Sequence, residues 1–155
     1  MTEEEANRLY DCALKQAYEL VGKDITFLSQ LNGGGRKLLG VKFKGVFPSD
    51  KIPQLNDLAP YCILNLDTSK ETGSHWIALA KMPKSRSCLS SAMVYDSFGR
   101  DYKTLIRALD CSGNGRMLNT DPDVELSVVE TDCGARSLAW LLLFDSYGPK
   151  VARLI

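Results

Sequence analysis

Residues 137–144 read SLAWLLLF, a run without a charged side chain, and they lie inside a segment, 133–147, that ends at Gly148-Pro149. A helix this apolar has no face to give to water and belongs in a core. The run falls far short of the ~20 residues that span a bilayer, and Gly-Pro is a helix stop. At the other end of the chain, Ala6, Leu9, Tyr10, Ala13, Leu14, Ala17, Leu20 and Val21 recur at steps of three and four. That spacing predicts an amphipathic helix over residues 2–22. Thr2 with Glu5 three residues on is a capping-box pattern, Glu3 and Glu4 suit the positive end of the dipole, and Gly22 is the expected stop.

Between these helices the pattern changes. Short apolar runs at 61–66 (YCILNL), 76–81 (WIALAK) and 91–95 (SAMVY) read as strands, and 124–129 (VELSVV) alternates as a fourth. Residues 82–90 form a polar hairpin loop, 102–109 a short helix, and 111–123 a loop containing Gly113, Asn114 and Gly115. Asn32-Gly33-Gly34-Gly35 is a loop signal, because three glycines carry a large ordering cost in a helix or strand. The mixed stretch from Leu38 to Phe47 and the region through Pro48, Pro53 and Pro60 read as a loop-rich excursion with one short strand or helix. The expected class is α+β, a small mixed central sheet packed between N-terminal and C-terminal helices. At 155 residues the chain fits one domain, 1–155.

Composition removes several classes of function. The chain is 45% apolar and 25% charged, which excludes disordered and collagen-like chains. Nineteen basic residues balance nineteen acidic ones, against the basic excess of a protein that coats nucleic acid. The N-terminus, MTEEEANR, is acidic and lacks an apolar core, so no secretory signal is expected and the location is intracellular. The five cysteines (Cys12, Cys62, Cys88, Cys111, Cys133) include no CxxC pair, and there is one histidine. A structural zinc site is not expected, nor a cofactor, and free thiols in a reducing compartment are the default. Lys81, Lys84 and Arg86 form a solvated basic turn, and the glycine run before Arg36-Lys37 lacks the Gly-Lys-Ser/Thr ending of a phosphate loop.

Three residues carry candidate chemistry. Cys133, followed by Gly134, opens the apolar helix. A thiol there meets the positive end of the dipole and backbone N–H groups that can also stabilise an oxyanion, and Gly134 would let a substrate backbone come close. Taken alone, such a cysteine is an ordinary small core residue. His75, the sole histidine, heads the strand beginning at Trp76, where a scaffold holds a side chain firmly yet within reach. Asp96 ends the run Met93-Val94-Tyr95, where a carboxylate can accept the second N–H of an imidazole and fix its tautomer. Alone it reads as a turn residue. Together, strand-end His, strand-end Asp and a helix-opening Cys-Gly form one pattern.

Gly73-Ser74-His75-Trp76, Tyr95-Asp96-Ser97-Phe98-Gly99 and Asp132-Cys133-Gly134 together resemble the adenovirus-type maturation proteases. That family includes the SUMO-specific (Ulp-type) proteases and the capsid-maturation proteases of virophages and related large DNA viruses. The order His, Asp, Cys is the family's, and the matched part covers residues 61–147. The resemblance implies a papain-like thiol endopeptidase with Cys133 as nucleophile, His75 as base and Asp96 as orienting group. It implies a narrow groove beside Trp76 and Gly134 that favours small residues, Gly above all, at the cut. The implied substrates are viral structural precursors, met in the cytoplasm or nucleus of a host cell or in the virion. A ubiquitin-like tag is the alternative substrate, and an inactive binding module the alternative role. Some relatives respond to DNA or to a disulfide-linked activating peptide; Cys111 is the one candidate for such a link, and zero net charge argues against a strong DNA requirement. One departure stands out. The family places a Gln oxyanion donor six or seven residues before the cysteine, where this chain has Ser127 and Leu126. Ser127 or another residue such as Asn65 supplies the donor, or the Cys133 backbone N–H suffices, or this chain is slow.

Overall fold

The computed structural model describes residues 1–23, 28–67, 75–83, 90–121 and 132–155. The expected strand at 124–129, together with Gly73, Ser74, Lys84, Arg86, Cys88, Leu126 and Ser127, lies outside the described residues.

Helix α1 (Glu3–Val21) starts where the sequence places it: Thr2 accepts from the Glu5 backbone N–H at 3.1 Å while the Glu5 carboxylate accepts from the Thr2 N–H at 2.9 Å. It stops at Gly22, and α4 (Cys133–Tyr147) stops at Gly148, both glycines at positive φ. A short α5 (Pro149–Ala152) follows, with its proline in the first turn, where a missing N–H costs nothing.

Helix α2 (Leu28–Leu39) replaces the loop expected at the glycine run. The reason is tertiary. A Cβ on Gly35 would lie 2.4–2.5 Å from the Phe43 ring, and one on Gly34 would lie 2.8 Å from Val21 Cγ1. The glycines let α2 press against the sheet and α1, and the packing offsets their cost in helix propensity.

Five strands form one mixed sheet in the order β1 (Phe43–Phe47), β2 (Tyr61–Asn65), β3 (Trp76–Lys81), β4 (Ser91–Tyr95), β5 (Arg116–Asn119). The β2–β3 and β3–β4 pairs are antiparallel; the β1–β2 and β4–β5 pairs at the edges are parallel. β2, β3 and β4 match the expected strands, β1 falls in the loop-rich stretch expected to hold one short strand or helix, and β5 falls in a stretch read as a loop. β5 buries only Met117, so it shows no alternation to detect. The expected helix over 102–109 divides into α3 (Tyr102–Leu105) and a 3-10 turn over 107–111, because Ile106 leaves helical dihedrals to bury its side chain.

The strand pleat sorts side chains between two cores. Tyr61, Ile63, Trp76, Ala78, Ala80, Met93 and Tyr95 face α1, α2 and α4. Cys62, Leu64, Ile77, Leu79, Ala92 and Val94 face Leu55, Tyr102, Ile106 and Leu109 on the other side. The α+β class and the small mixed sheet with its first and last helices are therefore present. Both of those helices lie on one side of the sheet, α4 with extensive contacts to β3 and α1 packed chiefly on α4. Trp140, fully buried, stacks on Tyr95 at 5.4 Å and donates from Nε1 to the Ala152 carbonyl at 2.9 Å. Among the described residues no helix is long and apolar enough to cross a membrane.

Candidate active site

The three residues singled out in the sequence come together at one edge of the sheet. His75 immediately precedes β3, and its carbonyl accepts from Leu66 N–H at 3.1 Å, which carries the β2–β3 ladder one step past the Asn65–Trp76 pair. Asp96 immediately follows β4 and opens a turn closed by Gly99 N–H donating to the Asp96 carbonyl at 2.8 Å; Gly99 has φ 69°, a conformation glycine adopts freely. Cys133 is the first residue of α4. Ser137, one turn on, donates to the Trp76 carbonyl at 3.2 Å and ties α4 to the residue after His75.

His75 Nε2 donates to Asp96 Oδ1 at 2.6 Å, with side chains only 9% and 1% exposed. With Nε2 committed, Nδ1 is the ring nitrogen left to face Cys133, which together with Asp96 raises the imidazole. Burial works against the charged imidazole, but Asp96 and Cys133 outweigh it and push the ring up to about 9. Burial likewise opposes ionisation of Asp96, and hydrogen bonds from His75 and Arg100 overcome it and hold the carboxyl at about 2. His75 therefore keeps its proton at neutral pH between a carboxylate and a sulfur.

No protein-family model and no curated protein matches the chain. What the site can do follows from the chemistry of its residues.

The start of α4 is held by a polar cluster that the sequence did not reveal. Asp132, the N-cap residue, makes no side-chain cap to the helix. Its Oδ2 accepts instead from the Tyr18 hydroxyl of α1 and from Arg136 Nε at 3.2 Å. The first N–H groups of α4, Cys133 among them, lie where a helix has no acceptor of its own. A carbonyl oxygen attacked by the neighbouring sulfur would meet them.

Trp76 and Gly134, expected to line a groove, are both buried, Trp76 in the core with α4. The ring stacked on the imidazole is Phe98, at 4.7 Å between centroids and 16° between planes. Ser127 lies outside the described residues, so the oxyanion role assigned to it has no geometry here. Asn65 has its Oδ1 fixed as acceptor by Asp67 N–H at 2.8 Å, which leaves Nδ2 as a buried donor without a partner among the described residues. Among the other thiols, Cys12 and Cys111 are exposed and free. Cys62 is fully buried beneath the far face, where burial pushes its thiol up. Arg100, which grips Asp96, and Phe98 were missed as functional residues. Phe98 stood in the quoted motif without a role, and the spacing of an aspartate and an arginine four apart across a turn is the signal that could have marked Arg100.

Proposed function

We propose that the chain is a thiol endopeptidase of the adenovirus-protease type. The observation that carries the reading is the buried His75–Asp96 hydrogen bond, whose imidazole is also raised by Cys133, the first residue of α4. Cys133 Sγ, its proton held by His75, adds to the carbonyl carbon of a peptide bond. Negative charge develops on the carbonyl oxygen beside the first N–H groups of α4. His75 then gives its proton to the leaving amine, the C–N bond breaks, and a thioester remains on Cys133. Water, deprotonated by the same imidazole, attacks the thioester and restores the thiol. Asp96 accepts from Nε2 throughout and keeps Nδ1 directed at sulfur. The proposed substrates are polypeptides cut beside small residues such as Gly, in the setting of viral precursor maturation.

Alkylation of the thiols at neutral pH, resolved by mass spectrometry, tests the pair directly. Cys133 should react in the wild type while Cys62 stays silent, and His75→Ala should slow Cys133 by about tenfold or more. Wild-type protein should cut Gly-containing peptides, and Cys133→Ala should not. A Cys133 rate indifferent to His75, with no turnover, would sink the reading and leave a binding module. Turnover confined to a tag fusion would move the activity to deconjugation.

A further inference from the structure

Arg100 stands outside the triad, yet its contacts converge on it. Its backbone N–H and its Nε–H both donate to Asp96 Oδ2, at 3.2 and 2.8 Å. Its guanidinium lies over the Phe98 ring, 5.0 Å from the centroid, and that ring is stacked on His75. With the Nε2–Oδ1 contact, the four side chains close a circuit: His75, Asp96, Arg100, Phe98 and back to His75.

We propose that Arg100 is a positioning residue, which fixes the orientation of the Asp96 carboxylate and sets how much of its charge reaches His75. The catalytic meaning of this rests on the thiol-protease reading; the contacts themselves do not. Rotating the carboxylate would break one hydrogen bond at Oδ1 and two at Oδ2 together. No water replaces them, because the Asp96 side chain is 1% exposed. Without the guanidinium, Oδ2 would keep only the weaker backbone donor in a buried setting.

The residue type matters. A guanidinium donates from Nε along a fixed plane, stacks on an aromatic face and leaves its far nitrogens in water; the Arg100 side chain is 42% exposed. Lysine brings the charge without the plane. Among the described residues, the charged and titratable groups that act on Asp96 are His75 and Arg100, and those that act on His75 are Asp96 and Cys133. A carboxylate facing the imidazole alone would grip its proton harder. Sharing the charge with a guanidinium eases the proton's release to the leaving group.

His75 is the only histidine, so its ring resonances report this one site by NMR with no need of activity. Titration of wild type, Arg100→Ala and Arg100→Lys is the test. Arg100→Ala should move the His75 midpoint upward by roughly half a pH unit or more and lower kcat with KM little changed. Arg100→Lys should keep the wild-type midpoint yet recover only part of kcat. Its charge is kept on a side chain of similar length, so it serves as the deciding variant if Arg100→Ala fails to fold. In that case an Arg100→Lys protein with wild-type kcat would overturn the proposal. A folded Arg100→Ala whose midpoint does not move overturns it as well, even if kcat falls. A moved midpoint in a protein that cuts no peptide keeps the clamp and removes the protease reading. Peptide cleavage with an unmoved midpoint does the reverse.

Discussion

His75 keeps its proton because two partners outweigh its burial, and that preference is linked to folding. A ring raised from 6.5 to about 9 adds stability that is complete below 6.5 and lost as pH rises through about 9. Asp96, lowered from 3.8 to about 2, adds stability that is complete above 3.8 and lost as pH falls toward 2. The pair should therefore give a plateau between 3.8 and 6.5, with thermal midpoints falling on both sides. Melts across pH should show the basic-side fall flattened in His75→Ala. Asp96→Asn keeps the shape of the side chain but removes the charge, and should lower kcat on the order of 10²–10⁴-fold, measured on a peptide the wild type cuts. At this scale much was legible. His75 could be read because it heads a short apolar run, Asp96 because it ends one, and Cys133 because it opens one. Phe98 and Arg100 could not, since their contacts arise from the way the turn after Asp96 folds back, which leaves no periodic trace. Asp132 could not either, since its partner Tyr18 lies 114 residues away.

Among the elements, α2 separates propensity from packing. Gly33 has nothing within 4 Å of an added Cβ, while Gly35 has the Phe43 ring at 2.4 Å. Gly33→Ala should stabilise the protein by roughly 0.5–1 kcal/mol, the ordinary helix gain. Gly35→Ala should destabilise it by about 1–3 kcal/mol through overpacking, and Phe43→Leu in the same chain should recover part of that loss. Urea unfolding of the three variants checks both signs. The helix was illegible because the sequence displays the cost of three glycines but not the neighbour that rewards them. α1 was legible to within a residue at each end and α4 at both ends, since their caps and apolar patterns are local. β1 was legible only as a short strand or helix: its register slips between Phe43 and Gly45, which breaks the two-residue period by which a strand is recognised.

The molecule as a whole draws its site from both strand ends and a helix start, and steadies that start from the far end of the chain. Tyr18→Phe removes the hydroxyl that reaches Asp132 and should cost about 1–3 kcal/mol, with a slower Cys133 alkylation rate if the helix start loosens. Denaturant melts and labelling of the same samples read both. α1 contributes none of the three candidate residues, yet it packs chiefly on the helix that carries Cys133. That arrangement has a consequence during synthesis. α1 leaves the ribosome before α4, with an apolar stripe whose main partner is still untranslated, and His75 and Asp96 emerge before Cys133. A nascent chain thus holds the parts of the candidate site without the site, and α1 and α4 must meet before those parts are assembled.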